Sequence, residues 1–348
     1  MPYAVSTFVP PPPAPAGPLV VPLEGAALTG ADERRLRHVA VGGVILFAHN
    51  YKNRAQLRDL TDSVRSVSPH CLITVDHEGG RVQRFVDGFT PLPPPARLGD
   101  AYADDRARAL RLAKAYGLII ADELKAHGVD LSFTPVLDLG VNRSVIGDRA
   151  FHTDPDIVYA LGRALTDGLH ARGMQSVGKH FPGHGSVAGD THETTARDAR
   201  AVADIMAADA APFRRLIADG ALDAVMSAHV AYGDEAVPAT FSAYWLRDVL
   251  RGQWGFGGLV FSDDLTMRAS LAVGGAADTA RLALEAGCDM ALVCRGFEVV
   301  DALLDGWSET EMARYTDRLA RRWRGFAGAE KEIMPYDKEA LLTELEQL

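Results

Sequence analysis

Cysteine is scarce in this 348-residue chain, which contains only Cys71, Cys288 and Cys294. An odd number of cysteines with no Cys-x-x-Cys pair argues against a disulfide framework and against a structural zinc site. All three lie in or beside apolar stretches, so we expect them to be small buried hydrophobic residues.

The chain also lacks the patterns of a membrane protein or a nucleic-acid-binding protein. No apolar run reaches 18 residues, the length that a spanning helix needs. The formal net charge is −10, the isoelectric point is about 5.6, and lysine and arginine form no dense stripe. Residues 1–17 have neither the positive start nor the apolar segment of a secretory signal. We therefore expect a cytoplasmic protein that binds neither membranes nor nucleic acid.

A repeated alternation of apolar runs and helical patterns fills most of the sequence. The apolar runs have the length of strands and are Leu19–Leu23, Gly43–Phe47, Leu72–Asp76, Leu131–Asp138, Ser176–Phe181, Ala224–Val230, Gly258–Asp263 and Met290–Cys294. Helical patterns lie near 31–40, 54–67, 102–127, 155–172, 199–219, 243–253, 275–286 and 298–305, and a last helix is expected over Glu309–Phe326. Continuous apolar strands separated by helices indicate a parallel sheet that is covered on both faces.

Eight such units predict a single-domain (β/α)8 barrel of the α/β class over residues 18–348, with a C-terminal helix and tail. Residues 1–17 form a proline-rich lead that we expect to be disordered. An open doubly wound sheet is the alternative architecture. It would need a glycine-rich phosphate turn after the first strand, and Glu24-Gly25-Ala26-Ala27 does not match one.

Chemically active residues gather where the predicted strands end. They are Glu24, Asp76, Asp138, Lys179, His180, His229, Asp263, Asp264 and Arg295. Barrel enzymes place their active sites at the carboxyl ends of their strands, so this regularity supports both the barrel and a site at its mouth.

The stretch from Lys179 to His192 is the most informative part of the sequence, because it combines a lysine, three histidines, an aspartate, three glycines and a proline. In an extended loop, Asp190 and His192 point to the same side, so the carboxylate can orient the imidazole as a general acid/base. A surface Asp-x-His pair without a role is the alternative. Lys179 fits either a Schiff-base nucleophile or a donor to a neutral ligand.

Carboxylates and arginines elsewhere complete the candidate site. Neighbouring strand residues face opposite sides, so we expect only one of Asp263 and Asp264 in the barrel mouth, as a nucleophile, a metal ligand or a base. The alternative is a helix N-cap, in which Ser262 or Asp263 caps a helix that starts near Leu265. Asp76 can bridge two sugar hydroxyls beside Arg84, or an Asp–Arg pair can fix the loop. Arg149 is a further loop arginine.

These pieces, in this order, resemble the β-N-acetylglucosaminidases of glycoside hydrolase family 3, and most of all the single-domain bacterial enzymes that recycle cell-wall muropeptides. The matching blocks are Gly42–Phe47, Asp76–Arg84, Phe133–Asp138, Ile146–His152, Lys179–His192 and Phe261–Met267. The resemblance implies a retaining mechanism with Asp263 as nucleophile, His192 as acid/base and Asp190 as its partner. It also implies that N-acetylglucosamine is bound by five residues, Asp76, Arg84, Arg149, Lys179 and His180.

The resemblance further implies a muropeptide such as N-acetylglucosaminyl-1,6-anhydro-N-acetylmuramic acid peptide as substrate. We expect no cofactor and, because the sequence has no obvious metal cluster, no metal. We also expect a monomer. Ser227 departs from the family pattern, which often has proline before Ala-His. Three alternatives remain: a β-glucosidase-like member of the family, a sugar-binding barrel without activity, and a metal-dependent barrel hydrolase. The last would use His180, His184, His192 and Asp263 as ligands.

Overall fold

Eight parallel strands form a nearly closed barrel in the computed structural model, which describes residues 14–142, 145–187, 196–267, 270, 274–326 and 336–348. The strands are β1 (Leu19–Pro22), β2 (Val41–Leu46), β3 (Leu72–Val75), β4 (Leu131–Ser132), β5 (Val177–Phe181), β6 (Ala224–Ser227), β7 (Leu259–Asp264) and β8 (Met290–Leu292). Their order in the sheet is β4-β3-β2-β1-β8-β7-β6-β5. A parallel bridge between Val136 and Lys179 joins the two ends of the sheet. The predicted α/β fold class, a (β/α)8 barrel, is confirmed.

The strands are continuous apolar runs because both of their faces are buried. On β1, Val20 points into the barrel, where it packs with Ile45, Phe133 and Phe261, among others. Leu19 and Val21 point outward into a second apolar layer beneath the helices. The alternation along each strand therefore fills two cores, one inside the barrel and one around it.

Helices surround the barrel at nearly the predicted positions. Those described are Gly30–Leu36, Arg54–Val67, Ala96–Asp104, Arg106–Ala126, Pro155–Ala171, Val202–Ala207, Ala211–Ala218, Tyr244–Gln253, Ala276–Ala286, Phe297–Asp305, Glu309–Phe326 and Lys338–Leu345, with 3-10 turns at Ala48–Asn50, Gly147–Arg149 and Ala239–Phe241. The Tyr244–Gln253 helix is wound as a π-helix. None of the helices in the described ranges is long and apolar enough to cross a membrane.

Several elements differ from the sequence-based expectation, and three of the differences have a local cause. The helix expected near 102–127 begins at Arg106, because the side chain of Asp105 caps the Arg108 amide at 3.0 Å and ends the preceding helix. The helix expected near 199–219 is two helices, and Pro212 lies in the first turn of the second. The fourth strand is regular only over Leu131–Ser132, since Pro135 further along has no amide to donate.

The amino ends of the strands are covered by the C-terminal part of the chain. Leu319, Trp323 and Phe326 of the Glu309–Phe326 helix pack against the side chains inside the barrel. The hydroxyl of Thr316 on that helix donates to the carbonyl of Ala16, just before β1. These side chains seal the amino end among the described residues, and the cavity lies at the opposite, carboxyl end of the strands.

The beginning of the described chain is packed rather than loose. Pro15 and Gly17, which belong to the lead predicted over residues 1–17, are buried. A Cβ at Gly17 would lie 2.3 Å from the backbone of Ala40, which explains why this packing needs glycine. Residues 1–13 of the predicted lead lie outside the described part of the chain.

Candidate active site

A cavity of about 260 Å³ opens at the carboxyl ends of the strands. Six of the eight residues predicted for the site line it, namely Asp76, Arg84, Arg149, Lys179, His180 and Asp263. Asp76 directly follows β3, Lys179 and His180 belong to β5, and Asp263 belongs to β7. The other two predicted residues, Asp190 and His192, lie outside the described residues.

Asp263 and Asp264 both line the cavity, so the expectation that only one of them faces the barrel mouth was wrong. The pairing of β7 with β8 shifts register between Phe261 and Asp264, and such an irregularity breaks the strict alternation of side chains. The two carboxylates nevertheless have different surroundings. Asp264 Oδ1 accepts hydrogen bonds from the Thr266 amide at 2.9 Å and the Cys294 amide at 3.0 Å, so it fixes the turn after β7.

The carboxyl group of Asp263 is held in its ionised form. Burial raises its pKa, but the neighbouring His180 and His229 and the Asp264 amide outweigh this and lower the pKa to about 2. Asp263 Oδ1 accepts the Asp264 amide at 2.8 Å. His229 supports the same turn, because its Nε2 donates to the Asp264 carbonyl at 2.9 Å. An ionised carboxylate at a cavity wall can act as a nucleophile.

His180 is oriented by a buried carboxylate. Asp138 Oδ2 lies 2.7 Å from His180 Nδ1, and Asp138 Oδ1 accepts the backbone amides of His180 at 3.0 Å and His184 at 2.7 Å. Burial raises the pKa of Asp138, but the nearby His180 outweighs it, and the pKa is lowered. This contact leaves Nε2 as the ring nitrogen of His180 available to a ligand. The sequence analysis placed Asp138 at a strand end without giving it a role.

Glu78 is the residue that the sequence analysis missed. Its side chain is 1% exposed, and it accepts two hydrogen bonds from Arg149, from Nε and Nη2, each at 2.8 Å. Its Oε1 also lies 2.5 Å from Lys179 Nζ. Burial raises the pKa of Glu78, but Arg149 and Lys179 together lower it well below its ordinary value. The two-residue spacing from Asp76 was the signal that could have found Glu78, because it places both carboxylates on one side of an extended chain.

Asp76 and Arg84 form the neighbouring part of the wall. Lys179 Nζ donates to Asp76 Oδ1 at 2.7 Å, and Arg84 Nη2 lies 3.6 Å from Asp76 Oδ2. Lys179 thus stands between two carboxylates as a hydrogen-bond donor. Within the described residues, Nε of Arg84 is buried without a hydrogen-bond partner. A polar ligand that accepted this N–H would remove a desolvation cost of about 1–3 kcal/mol.

The chain that follows β5 is tightly fixed up to Val187. The Gly183 carbonyl accepts the hydroxyl of Tyr232 at 2.8 Å, and the Gly185 carbonyl accepts the Asn142 amide at 2.7 Å. A Cβ at Gly185 would lie 1.6 Å from the Leu139 carbonyl oxygen, so only glycine fits there. The glycines of this stretch are therefore explained by close packing.

No group of three or more metal-binding side chains occurs among the residues that the structure describes. The ligand set considered for a metal-dependent hydrolase includes His192, which lies outside them. Two of the other candidates, His180 and Asp263, have the local partners described above.

A barrel whose mouth holds an ionised carboxylate, an oriented imidazole and several charged hydrogen-bond donors fits the class of glycoside hydrolases. Comparison with known proteins agrees: the model of the glycosyl hydrolase family 3 N-terminal domain matches residues 22–322. A β-hexosaminidase of Chromobacterium violaceum is 52% identical over 310 residues, which cover 88% of this chain and 87% of that protein. The chain belongs to glycoside hydrolase family 3 and is a β-hexosaminidase, as the resemblance implied.

Solved structures give the same assignment. NagZ from Neisseria gonorrhoeae in complex with N-trifluoroacetyl-D-glucosamine has a TM-score of 0.87 at 42% identity, covering 97% of this chain and 99% of that one. A structure of NagZ from the same organism in complex with a zinc ion has a TM-score of 0.82 at 39% identity, with coverage of 97% and 99%.

Proposed function

We propose that this β-hexosaminidase is a retaining exo-β-N-acetylglucosaminidase that removes terminal N-acetylglucosamine from cell-wall muropeptides. The observation that carries the proposal is the convergence of Asp76, Arg84, Arg149, Lys179, His180 and Asp263 on one cavity. The N-trifluoroacetyl-D-glucosamine bound to the N. gonorrhoeae protein supports a sugar of this class.

Asp263 is the proposed nucleophile, and its surroundings support this choice over Asp264. The pKa of about 2 keeps the Asp263 carboxylate ionised at neutral pH, as a nucleophile requires. One oxygen of Asp264 is already engaged by the Thr266 and Cys294 amides.

The proposed reaction has two displacement steps at the anomeric carbon. In the first, an Asp263 oxygen forms a bond to this carbon while the glycosidic bond breaks, and His192 gives its proton to the leaving oxygen. In the second, water attacks the same carbon, His192 takes the water's proton, and the bond to Asp263 breaks to regenerate the carboxylate. Asp190 holds the His192 ring in this scheme, as the two-residue spacing and the family resemblance predict.

The sugar in the −1 subsite is proposed to bind through the charged donors and acceptors of the wall. Asp76 accepts from sugar hydroxyls, while Arg84, Arg149 and Lys179 donate to oxygen atoms, and His180 offers Nε2. Glu78 holds Arg149 and Lys179 in place before any ligand arrives, and Asp138 holds His180, so these three groups require little ordering on binding. The cytoplasmic location and the monomeric state stay predictions from the sequence.

Covalent trapping tests the proposal. The protein is incubated with a 5-fluoro N-acetylglucosaminyl fluoride, digested, and the labelled peptide is sequenced by mass spectrometry. We expect the label on Asp263. A label on Asp264, or a turnover that inverts the anomeric configuration, would refute the proposed mechanism.

A further inference from the structure

Cationic side chains outnumber carboxylates among the residues that line the cavity. Five cationic side chains line it, against three carboxylates, although the whole protein has a formal net charge of −10. The cationic residues are Arg81, Arg84, Arg149, Lys179 and Arg295, and the carboxylates are Asp76, Asp263 and Asp264. Two further carboxylates, Glu78 and Asp148, lie beside this wall and pair with its cations, so only a cation without an internal partner offers its charge to an anionic ligand.

Four of the five cations already have partners inside the protein. Lys179 and Arg149 share Glu78, and Arg84 lies beside Asp76. Arg81 Nη2 donates to the carbonyl of Val145 at 2.8 Å, and its Nε donates to Asp148 at 3.2 Å. These four side chains shape the wall.

Arg295 differs from them. It is exposed at the carboxyl end of β8 and lines the cavity. In the part of the chain that the structure describes, no hydrogen bond or ion pair engages its guanidinium group. Its position in the wall is fixed nevertheless, because the amide of the preceding Cys294 donates to Asp264 Oδ1 at 3.0 Å. The guanidinium group of Arg295 therefore lies at the rim of the cavity. It directly follows Cys294, whose backbone is bound to the turn after β7.

We propose that Arg295 is a specificity-determining residue that binds an anionic group, in particular a carboxylate, on the leaving-group side of the substrate. A guanidinium group matches a carboxylate with two parallel hydrogen bonds. The inference rests on the proposed function, whose N-acetylmuramic acid peptide substrate has carboxylates on the leaving group and not on the N-acetylglucosamine. The inference adds that the enzyme binds the negative charge of the leaving group, and that Arg295 is the residue that binds it.

A matched pair of substrates tests this inference. One is 4-(carboxymethyl)phenyl N-acetyl-β-D-glucosaminide and the other is its methyl ester, which has nearly the same leaving group without the charge. The ratio of kcat/KM for the acid to kcat/KM for the ester is measured for the wild-type protein and for variants at Arg295. We expect Arg295→Ala to lower this ratio by about 5-fold, the size of a well-oriented exposed ion pair. Arg295→Glu should lower it further and Arg295→Lys should retain most of it.

Arg37→Ala is the control, because it removes the same charge from an exposed side chain at the sealed end of the barrel. Its ratio should equal that of the wild type. The wild-type preference for the acid should also decline in 0.5 M salt, where exposed charges are screened.

The outcomes separate the two hypotheses. If both glycosides are hydrolysed and Arg295→Ala leaves the ratio unchanged, the role of Arg295 is refuted while the proposed function stands. If the wild type hydrolyses neither glycoside, the proposed function fails and this inference fails with it.

Discussion

Replacement of Glu78 by glutamine tests how the cationic wall of the cavity is held together. The change keeps the shape of the side chain but removes the negative charge that Arg149 and Lys179 share. Glu78 and Lys179 are almost fully buried, with side-chain exposures of 1% and 2%, and that of Arg149 is 16%. Removal of the charge takes from Arg149 and Lys179 the counter-ion that they share.

The expected loss of stability is about 3 kcal/mol, since breaking a buried ion pair from one side costs about 3–5 kcal/mol and glutamine retains one acceptor oxygen. Asp76 remains as a partner for Lys179 at 2.7 Å, which also keeps the loss at the lower end. The value of kcat/KM should fall, with a higher KM and a lower kcat, because Arg149 and Lys179 would no longer be held toward the sugar.

Urea unfolding measures the free-energy difference, and Glu33→Gln is the matched control. Glu33 also pairs with an arginine, Arg37 at 3.0 Å, but their side chains are 43% and 59% exposed. The control should therefore change stability by less than about 0.5 kcal/mol.

The pH dependence supplies a second readout with a definite sign. The pKa of Glu78 is lowered in the folded protein by Arg149 and Lys179 against the effect of burial. The ionised form therefore stabilises the fold above pH 4.5, the ordinary value, and this contribution is lost as the pH falls below it. The stability difference between wild type and Glu78→Gln should shrink at acid pH. A loss of unfolding free energy below about 1 kcal/mol in Glu78→Gln would refute the reasoning. So would a stability difference from the wild type that grows at acid pH.

Four further predictions concern the site. Asp263→Ala should lower the turnover of aryl N-acetyl-β-glucosaminides by at least about 10³-fold in steady-state assays, and a larger loss in Asp264→Ala would mean that the nucleophile is misassigned. Because the pKa of Asp263 is about 2, against an ordinary 3.8, its carboxylate stays ionised as the pH falls from 7 to 4. The rate of labelling by the fluoride reagent, whose leaving group needs no strong acid, should therefore stay constant over that range. A labelling rate that falls at acid pH with a midpoint near 5 would contradict this. Gly185→Ala should destabilise the protein by about 3 kcal/mol in urea unfolding, because its Cβ would overlap the Leu139 carbonyl, and a neutral effect would show that this loop yields easily. Treatment with EDTA should leave hydrolysis unchanged, whereas a loss that zinc restores would favour the metal-dependent alternative.

The barrel could be predicted because its signals are local and repeated. Eight apolar runs of strand length recur between helical patterns, and a parallel sheet buried on both faces requires such runs. Two predicted helices are broken in the structure, and in each case a single residue marks the break: Asp105 as a cap and Pro212 in a first turn. The longer periodic pattern around these residues hid both breaks.

The site could be predicted in composition but not in its internal contacts. Strand ends indicated Asp76, Lys179 and Asp263, since the carboxyl ends of all strands meet at one face. That both Asp263 and Asp264 reach the cavity follows from a register shift between two strands, which depends on their pairing and leaves no mark in the local sequence. The role of Glu78 depends on Lys179, 101 positions away, and such a contact exists only in the folded chain.

The seam of the barrel has a consequence for how activity appears during folding. The segment after the fourth strand meets the fifth strand through a bridge between Val136 and Lys179. The Val177 amide donates to the Thr134 carbonyl at 2.8 Å, and the Leu137 amide donates to the Lys179 carbonyl at 2.8 Å. Lys179 thus takes part in the backbone contact that completes the ring, and its ammonium group lies between Asp76 and Glu78. We therefore expect enzymatic turnover to recover after dilution from denaturant only when the barrel has closed. A barrel with an open seam would be catalytically inactive even if its helices had formed.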